Sequence, residues 1–513
     1  MQSSPIRNVA DPPPVPIPVD LDHPSRRRRL ARALLLFRSV ARHLGPVLWR
    51  KLRRREVSQA ELARALRPVF DEMGATFLKY GQMIASSPTL FGEDMAAEFR
   101  SCLDVAAPVP YEHVRAAILA ELGQPVETLF SSFDPEPLGR ASLAVVHKAV
   151  ARDGRTVAVK VLRPEIDEII ACDLALMEPL FNFMGVVLGP EIAGALSDVL
   201  GGLRLQISEE LNLLNEAAAL VYFKDLPAAA QIELIVVPQP FFDLSSRRVL
   251  TMEFLDGVPV DDLARIEEFG VDPRPVVEQV VKAWFMTAVR GGIFHGDVHA
   301  GNIMILRDGR IALLDWGIVG RLDPDLHHVF RQLLAFALGD DDAWEDVATF
   351  FLGMYANMAS SLDLDQDLLL GFFREQSRVA MNQPFGEVSL ADLLTMPQQE
   401  MNKAAKAKRR EKYGQETLPL RARYRMWKNM RGSIDDDTRA KVDHGMVLLG
   451  KQLAYFERYG KMYLSDVPLL HDPVFFGGLL SEPPLHSGAT AVTSVDGGAR
   501  PIGSEPLTKG TRS

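Results

Sequence analysis

Two cysteines, Cys102 and Cys172, are all that 513 residues contain, so no disulfide scaffold holds this chain together and a reducing compartment is the default. The sequence has no Cys-x-x-C pair and no spaced His/Cys cluster, which excludes the common structural zinc sites. It also lacks any apolar run of about 18 residues, the length a membrane-spanning helix needs. Phe181 to Leu188 comes nearest, and Gly189-Pro190-Glu191 ends it. The opening MQSSPIRNVADPPPVP has no apolar stretch behind an early basic region, so a signal peptide is not expected. A cytoplasmic protein, soluble or peripheral to a membrane, is the expectation. The net charge of −10 denies the chain a global basic field, so nucleic acid is not expected as a partner.

What is present is enough for packed cores. Hydrophobic residues make up 47% and charged residues 24%, a globular balance. At about 150 residues per domain the length predicts two or three units. Residues 1–25, rich in Pro, and 486–513, rich in Gly, Ser and Thr, read as disordered. Residues 26–130 read as a helical extension, 131–255 as a small strand-rich lobe and 256–485 as a larger helical lobe. Strands and helices are largely segregated, which predicts an α+β fold.

Several segments are specific within that plan. Arg26 to Arg55 is dense in Arg, with Leu34, Leu35, Phe37, Val40, Leu44, Val47, Leu48 and Leu52 at helical spacing. This basic amphipathic helix, broken near Gly45-Pro46, either packs on the main body with a solvated basic face or lies on an anionic membrane surface. Lys403 to Arg431 is a second basic stretch with the same two readings. Leu143 to Val146 and Thr156 to Val161, joined by Arg152-Asp153-Gly154-Arg155, predict a hairpin. A second hairpin is predicted where Ile303–Leu306 and Ile311–Leu314 flank Asp308-Gly309. Strands are also predicted at Ile232–Val237 and Arg248–Phe254, and a long helix at Pro275–Arg290. His147 reads as a packing histidine, and Glu165, Asp167 and Glu168 as the first turn of a helix.

The sharpest motif is His295-Gly296-Asp297-Val298-His299-Ala300-Gly301-Asn302, followed by Leu313-Leu314-Asp315-Trp316-Gly317. Phosphoryl transfer to a hydroxyl needs one carboxylate to orient the acceptor and take its proton. It also needs an amide oxygen and a second carboxylate to hold Mg²⁺ against the phosphates. Kinases put the base Asp and the metal Asn five residues apart on one loop, with the metal Asp after a hairpin at the start of Asp-x-Gly. Asp297, Asn302 and Asp315 have that order and spacing. Val157-Ala158-Val159-Lys160 supplies a strand lysine of the kind that meets nucleotide phosphates and a helix glutamate. Glu216 is the first candidate for that glutamate and Glu210 the second. Catalytic candidates are therefore Asp297, Lys160 and Glu216, and metal candidates Asn302 and Asp315. His295 is expected to hold the loop in shape.

Two kinase parts are missing. Pro137-Leu138-Gly139-Arg140-Ala141-Ser142 stands where a G-x-G-x-x-G loop would cover the phosphates, and no Ala-Pro-Glu follows Gly317. Gly139, Ala141 and Ser142 are the candidates for the phosphate cover, and the backbone of Glu253 and Phe254 for the adenine contact.

With Lys79-Tyr80-Gly81-Gln82 in the helical extension, the chain resembles the UbiB family of atypical kinases, also called ABC1 or AarF. The family's hallmark is Lys-x-Gly-Gln on an N-terminal helix folded over the active site, and Phe294-His295-Gly296-Asp297 and Leu314-Asp315-Trp316-Gly317 are also similar to it. The resemblance runs from about Phe70 to Gly320. It implies a protein-kinase-like two-lobe fold with a helical N-terminal extension and a predominantly helical C-lobe. It further implies ATP or ADP with Mg²⁺, ATPase or unorthodox kinase activity, and a link to quinone or other isoprenoid lipid at membranes. Lys79 and Gln82 would lie across the place where a peptide docks.

The chain departs from the family in several places. Its Ala-rich loop reads Gly139-Arg140-Ala141-Ser142, its Glu-x-Asp reads Glu210-Leu211-Asn212, its Asp-Pro-His-Pro-Gly-Asn reads Asp297-Val298-His299-Ala300-Gly301-Asn302, and Trp316 replaces the Phe of Asp-Phe-Gly. The alternatives are a small-molecule phosphotransferase of the aminoglycoside or choline kinase type, and a nucleotide-binding regulator with little turnover.

Overall fold

The computed structural model describes residues 15–21, 24–53, 58–85, 93–99, 108–188, 190–224, 235–350, 382–387, 436–468 and 472–481, with scattered positions between 352 and 410 and at 470. The second basic stretch and the C-terminal tail expected to be disordered lie outside the described residues, apart from Arg410.

Among the described residues the N-terminal extension holds α1 (Arg26–His43), α2 (Gly45–Leu52), α3 (Gln59–Met73), α4 (Ala75–Ala85) and α5 (Glu93–Phe99). Ser58 starts α3 with a capping box, its hydroxyl taking the Glu61 N–H while Glu61 returns to the Ser58 N–H. The extension is bolted on by Arg32. Its guanidinium forks onto the fully buried Asp173 at 2.8 and 2.7 Å, and also donates to the Met73 carbonyl at 2.6 Å. Breaking such a buried pair from one side costs about 3–5 kcal/mol.

After α6 (Tyr111–Leu122) and the short α7 (Val126–Leu129) comes a four-stranded antiparallel sheet. Its strands are β1 (Phe130–Arg140), β2 (Ala144–Ala151), β3 (Thr156–Leu162) and β5 (Val249–Glu253), in that spatial order. The predicted hairpin joins β2 and β3, with Gly154 in the left-handed region at φ +88°. Alternation along β3 divides its side chains between two cores. Val157, Val159 and Val161 face a small core with Val114 and Ile118 of α6. Ala158 and Leu162 face the main core between the lobes, and Lys160 lies on their side.

β1 was not expected. Its sequence FSSFDPEPLGR carries two prolines and an aspartate, all poor strand formers. It is tolerated because β1 is the sheet edge, where Pro need not donate, and the ladder is irregular between Phe133 and Pro137. The residues expected to cover the phosphates lie at the end of this strand and in the turn after it. Gly139 and Arg140 pair with Val146 and Val145 at the end of β1, and Ala141 and Ser142 lie in the turn that follows.

Among the described residues β3 is followed by α8 (Ile166–Leu188), α9 (Pro190–Glu210) and α10 (Leu213–Lys224). The strand expected at Ile232–Val237 is two residues long, β4 (Ile235–Val236), with 225–234 outside the described residues.

The second lobe holds β6 (Gly257–Pro259), α11 (Leu263–Phe269) and the buried α12 (Pro273–Gly291), which begins on an Asp272 cap. Then come β7 (Ile293–His295), β8 (Ile303–Leu306), β9 (Ile311–Leu313), β10 (Val319–Arg321) and α13 (Pro324–Ala337). The described part of the lobe also includes α14 (Asp436–Tyr463) and α15 (Pro473–Ser481). One sheet runs β4-β9-β8-β6, with β4 and β9 parallel, and β10 pairs with β7. The second predicted hairpin is β8–β9, turning at Gly309 with φ +83°. The arrangement is the two-lobe α+β one expected.

The start of the chain is not wholly without order. Within the stretch expected to be disordered, Val19 donates its backbone N–H to the Ser208 carbonyl at 2.9 Å and Leu21 is buried in the main core.

Candidate active site

β3 delivers Lys160 to the lobe junction, where its ammonium lies 2.8 and 3.0 Å from the Glu216 carboxylate oxygens and 2.9 Å from Asp315 Oδ1. Glu216 lies on the buried face of α10, its side chain 2% exposed. Burial opposes the Lys160 charge, but Asp315 and Glu216 outweigh it and hold the ammonium above the usual lysine range. Burial pushes Glu216 up to about 7, against the pull of Lys160. Asp315 is held below the usual carboxylate range; burial opposes this and Lys160 prevails.

Asp315 sits at φ +49°, a left-handed conformation that Asp tolerates better than bulkier residues. Its Oδ1 also accepts the Gly317 N–H at 3.3 Å. The next residue, Trp316, donates its indole N–H to the Leu313 carbonyl at 2.9 Å and stacks on Phe223 of α10 at 4.0 Å between ring centres. A tryptophan here thus ties the Asp-x-Gly turn to the helix bearing Glu216, an aromatic contact worth about 0.5–1.5 kcal/mol.

The loop from His295 to Asn302 is held from several sides. His295 Nδ1 accepts the Asp297 N–H at 3.0 Å, so its Nε2 carries the proton and donates to the Leu314 carbonyl at 2.9 Å. Burial lowers its pKa, which keeps this neutral tautomer. Gly296 is sterically required: a Cβ there would stand 2.6 Å from Ile318 Cγ2. Asn302 donates its side-chain N–H to the Asp297 carbonyl at 2.9 Å, which leaves its Oδ1 for another partner. Because Ile303 pairs with Leu313, the hairpin brings Asn302 and Asp315 to one end, and Leu314 N–H bonds the Asn302 carbonyl at 2.8 Å.

Those two residues suit a magnesium ion. They offer hard oxygen donors, and no cluster of three or more His, Cys, Asp or Glu that could hold a metal occurs among the described residues. A site with one carboxylate and one amide oxygen matches an ion that takes its remaining ligands from phosphates and water.

Three residues of α14 reach this loop, and nothing in the sequence motifs pointed to them. Lys451 Nζ lies 2.6 Å from Asp297 Oδ1. Gln452, fully buried, accepts the Val298 N–H at 2.9 Å and donates to the Gly296 carbonyl at 2.6 Å. Tyr459 donates its hydroxyl to the Val298 carbonyl at 2.9 Å. A signal did exist: Gln452 falls on the stripe with Phe456 and Tyr459, a polar residue at a core position. Asp297 is held well below the usual carboxylate range. Burial opposes this, and Lys451, His299 and Lys79 outweigh it.

Lys79 on α4 bonds Glu210 Oε1 at 2.8 Å, both side chains nearly buried, and Gln206 supports Glu210 at 2.8 Å. Glu210 Cγ stands 3.7 Å from where a Cβ on Gly317 would be, so the Lys79–Glu210 pair lies beside the Asp-x-Gly turn. Gln82 is half-buried on the same helix. The second candidate glutamate, Glu210, therefore partners Lys79 while Glu216 partners Lys160.

The Asn212 departure has a physical reason. Its Nδ2 donates to the Ile17 carbonyl at 3.1 Å, and Asn215 accepts the Ile17 N–H at 2.9 Å and donates back at 3.0 Å. An aspartate at 212 has no N–H to give. The chain's own N-terminal segment is thus strapped across the entry to α10.

At the candidate adenine contact, the Glu253 N–H bonds the Gln239 carbonyl at 2.8 Å and the Phe254 N–H the Thr156 carbonyl at 3.3 Å. Both N–H groups are committed within the lobe. His147 is a buried packing residue, bonded to the Asp134 carbonyl at 2.8 Å.

Comparison with known proteins gives a consistent set of relatives. A family model described as the ABC1 atypical kinase-like domain matches residues 101–347. The Mycobacterium tuberculosis protein Rv0647c is 31% identical over 480 residues, covering 93% of this chain and 88% of that one. The chloroplastic aarF domain-containing protein kinase At5g05200 of Arabidopsis thaliana is 33% identical over 425 residues, covering 79% and 73%. A probable protein kinase UbiB of Azotobacter vinelandii is 37% identical over 302 residues, 58% of this chain and 56% of that one. Lys160, Glu216, Asp297, Asn302 and Asp315 lie inside the span of the family model; Lys79 and α14 lie outside it.

Proposed function

Given that this chain belongs to the family of ABC1 atypical kinases, the group that also carries the names UbiB and AarF, we propose that it binds a magnesium nucleotide and acts as an ATPase or phosphotransferase whose peptide entrance is covered. The observation that carries this reading is the Lys160 ammonium held between Glu216 and Asp315, beside an ionised Asp297. Lys160 would contact the phosphates, and Asn302 Oδ1 and Asp315 would hold Mg²⁺, which neutralises charge on the transferring phosphoryl group. Asp297 would orient the attacking hydroxyl or water and take its proton. The P–O bond to the leaving diphosphate breaks as the new one forms. Gly139, Ala141 and Ser142 would line the phosphate side, and the Glu253–Phe254 backbone the base. Lys79, anchored by Glu210, and Gln82 close the side from which a peptide would enter, so a small or lipid-borne acceptor suits the site better than a protein one.

A membrane surface, with a quinone or other isoprenoid lipid nearby, is the setting we propose. On α1 the inward face carries Arg32, Leu36 and Ser39. The outward face carries Leu30, Leu34 and Phe37 at helical spacing, with Leu30 73% and Phe37 70% exposed. Exposed Arg26, Arg27, Arg29 and Arg38 flank that stripe. An apolar stripe rimmed by arginines is the pattern of a helix that lies on anionic lipid. None of the described helices is long and apolar enough to cross a membrane.

ATP hydrolysis measured with vesicles containing phosphatidylglycerol, and with phosphatidylcholine vesicles alone, tests this. Anionic vesicles are expected to raise the rate several-fold, and Phe37→Asp to remove that rise while leaving the rate in solution unchanged. Turnover that depends only on an added soluble alcohol or sugar would replace this reading with the small-molecule phosphotransferase, and an unchanged vesicle response in Phe37→Asp would remove α1 from it.

A further inference from the structure

We propose that Lys451 reads the terminal phosphate of a bound nucleoside triphosphate, shifting its ammonium from Asp297 toward that phosphate, and so lets α14 tell a triphosphate from a diphosphate. This inference rests on the magnesium-nucleotide reading above.

Among the described residues, Lys160, Lys79 and Lys451 face the site, and their partners differ. Lys160 is shared by two carboxylates, Glu216 and Asp315. Lys79 is fixed by Glu210, which Gln206 also holds. Lys451 is bonded to Asp297 Oδ1 at 2.6 Å, and the two side chains keep 21% and 18% of their surface exposed. The Lys451–Asp297 pair is therefore more accessible than the Lys160–Glu216 pair, which keeps 9% and 2% exposed.

The chemistry of the transfer sets the position. In an in-line transfer the acceptor oxygen stands between its base and the terminal phosphorus. The cation bonded to that base is then the one next to the terminal phosphate's oxygens. A diphosphate ends one phosphate earlier and does not come to this point. A terminal phosphate carries more negative charge than one carboxylate, and an ammonium on a flexible four-carbon stem has three donors to divide between them. The helix beneath is fixed to the loop by Gln452 and Tyr459, so the ammonium is preset against Asp297 and needs only a side-chain movement. Burial opposes the Lys451 charge, but Asp297 outweighs it and keeps the cation above the usual lysine range.

The test is equilibrium binding of Mg-ADP and of the magnesium complex of the β,γ-imido analogue of ATP to the full chain. Native protein, Lys451→Met, Lys451→Arg and Gln452→Leu are compared. A charged hydrogen bond of this kind sets the expected scale. Lys451→Met is expected to weaken the triphosphate analogue by about tenfold or more and the diphosphate by less than about twofold. Lys451→Arg should keep most of the preference. Gln452→Leu, which keeps the ammonium but loosens the helix that presets it, should lower the triphosphate preference by less than Lys451→Met does. Equal weakening of both ligands by Lys451→Met, or no weakening of either, overturns the proposal. If the native chain binds neither ligand with magnesium, the underlying reading fails and takes this one with it. If Asp315→Asn loses magnesium-dependent binding while Lys451→Met leaves the triphosphate preference unchanged, only the role of Lys451 falls.

Discussion

Replacing Asp315 by Asn is expected to lower ATP hydrolysis by about 10²–10³-fold, the scale seen when one electrostatic stabiliser is removed from a preorganised site. The substitution keeps the shape and removes the charge. Lys160 retains Glu216 at 2.8 Å, and the Asp315 side chain is 38% exposed, so the fold should barely notice the change. The proposed Mg²⁺ site, by contrast, loses its only carboxylate and keeps the Asn302 amide alone. The expected signature is therefore lost turnover and lost magnesium dependence with a melting temperature close to native. Hydrolysis within a few-fold of native in Asp315→Asn would remove this residue from the chemistry.

Gln452→Leu should do the opposite kind of damage, to fold and activity together. Gln452 is fully buried and makes two hydrogen bonds to the loop backbone, at 2.9 Å to the Val298 N–H and 2.6 Å to the Gly296 carbonyl. Leucine fills the space and leaves a buried donor and a buried acceptor unpaired, at about 1–3 kcal/mol each. Denaturant unfolding should report a loss of about 2–6 kcal/mol on that basis. Turnover should fall by at least about tenfold, since small displacements of a catalytic carboxylate are costly. A native denaturation midpoint in Gln452→Leu would mean that α14 does not hold the loop.

These two residues also mark where the sequence could and could not be read. Lys160, Asp297, Asn302 and Asp315 were legible because each depends on local geometry. Strand alternation turns Lys160 inward, a five-residue loop spaces Asp297 from Asn302, and a hairpin with Asp308-Gly309 returns the chain to Asp315. Lys451 and Gln452 meet the same loop from 154 residues away along the chain, and no local pattern encodes that distance. Arg32 and Asp173 are likewise 141 residues apart. β1 was hidden for another reason. Pro135 and Pro137 argue against a strand, and only its position at the sheet edge, a tertiary fact, makes them harmless. Asn212 read as the loss of a carboxylate, whereas in the fold it is the gain of an N–H donor for the strap at Ile17.

Thermal unfolding of the native chain with ATP, titrated with magnesium, tests the central claim most directly. A ligand that binds only the folded state stabilises it by about 2.7 kcal/mol at one hundred times its dissociation constant. The melting temperature should rise with ATP plus magnesium, fall back when EDTA removes the metal, and fail to rise in Asp315→Asn. A melting temperature indifferent to ATP and magnesium in the native chain would contradict a magnesium-nucleotide site built from Lys160, Asn302 and Asp315.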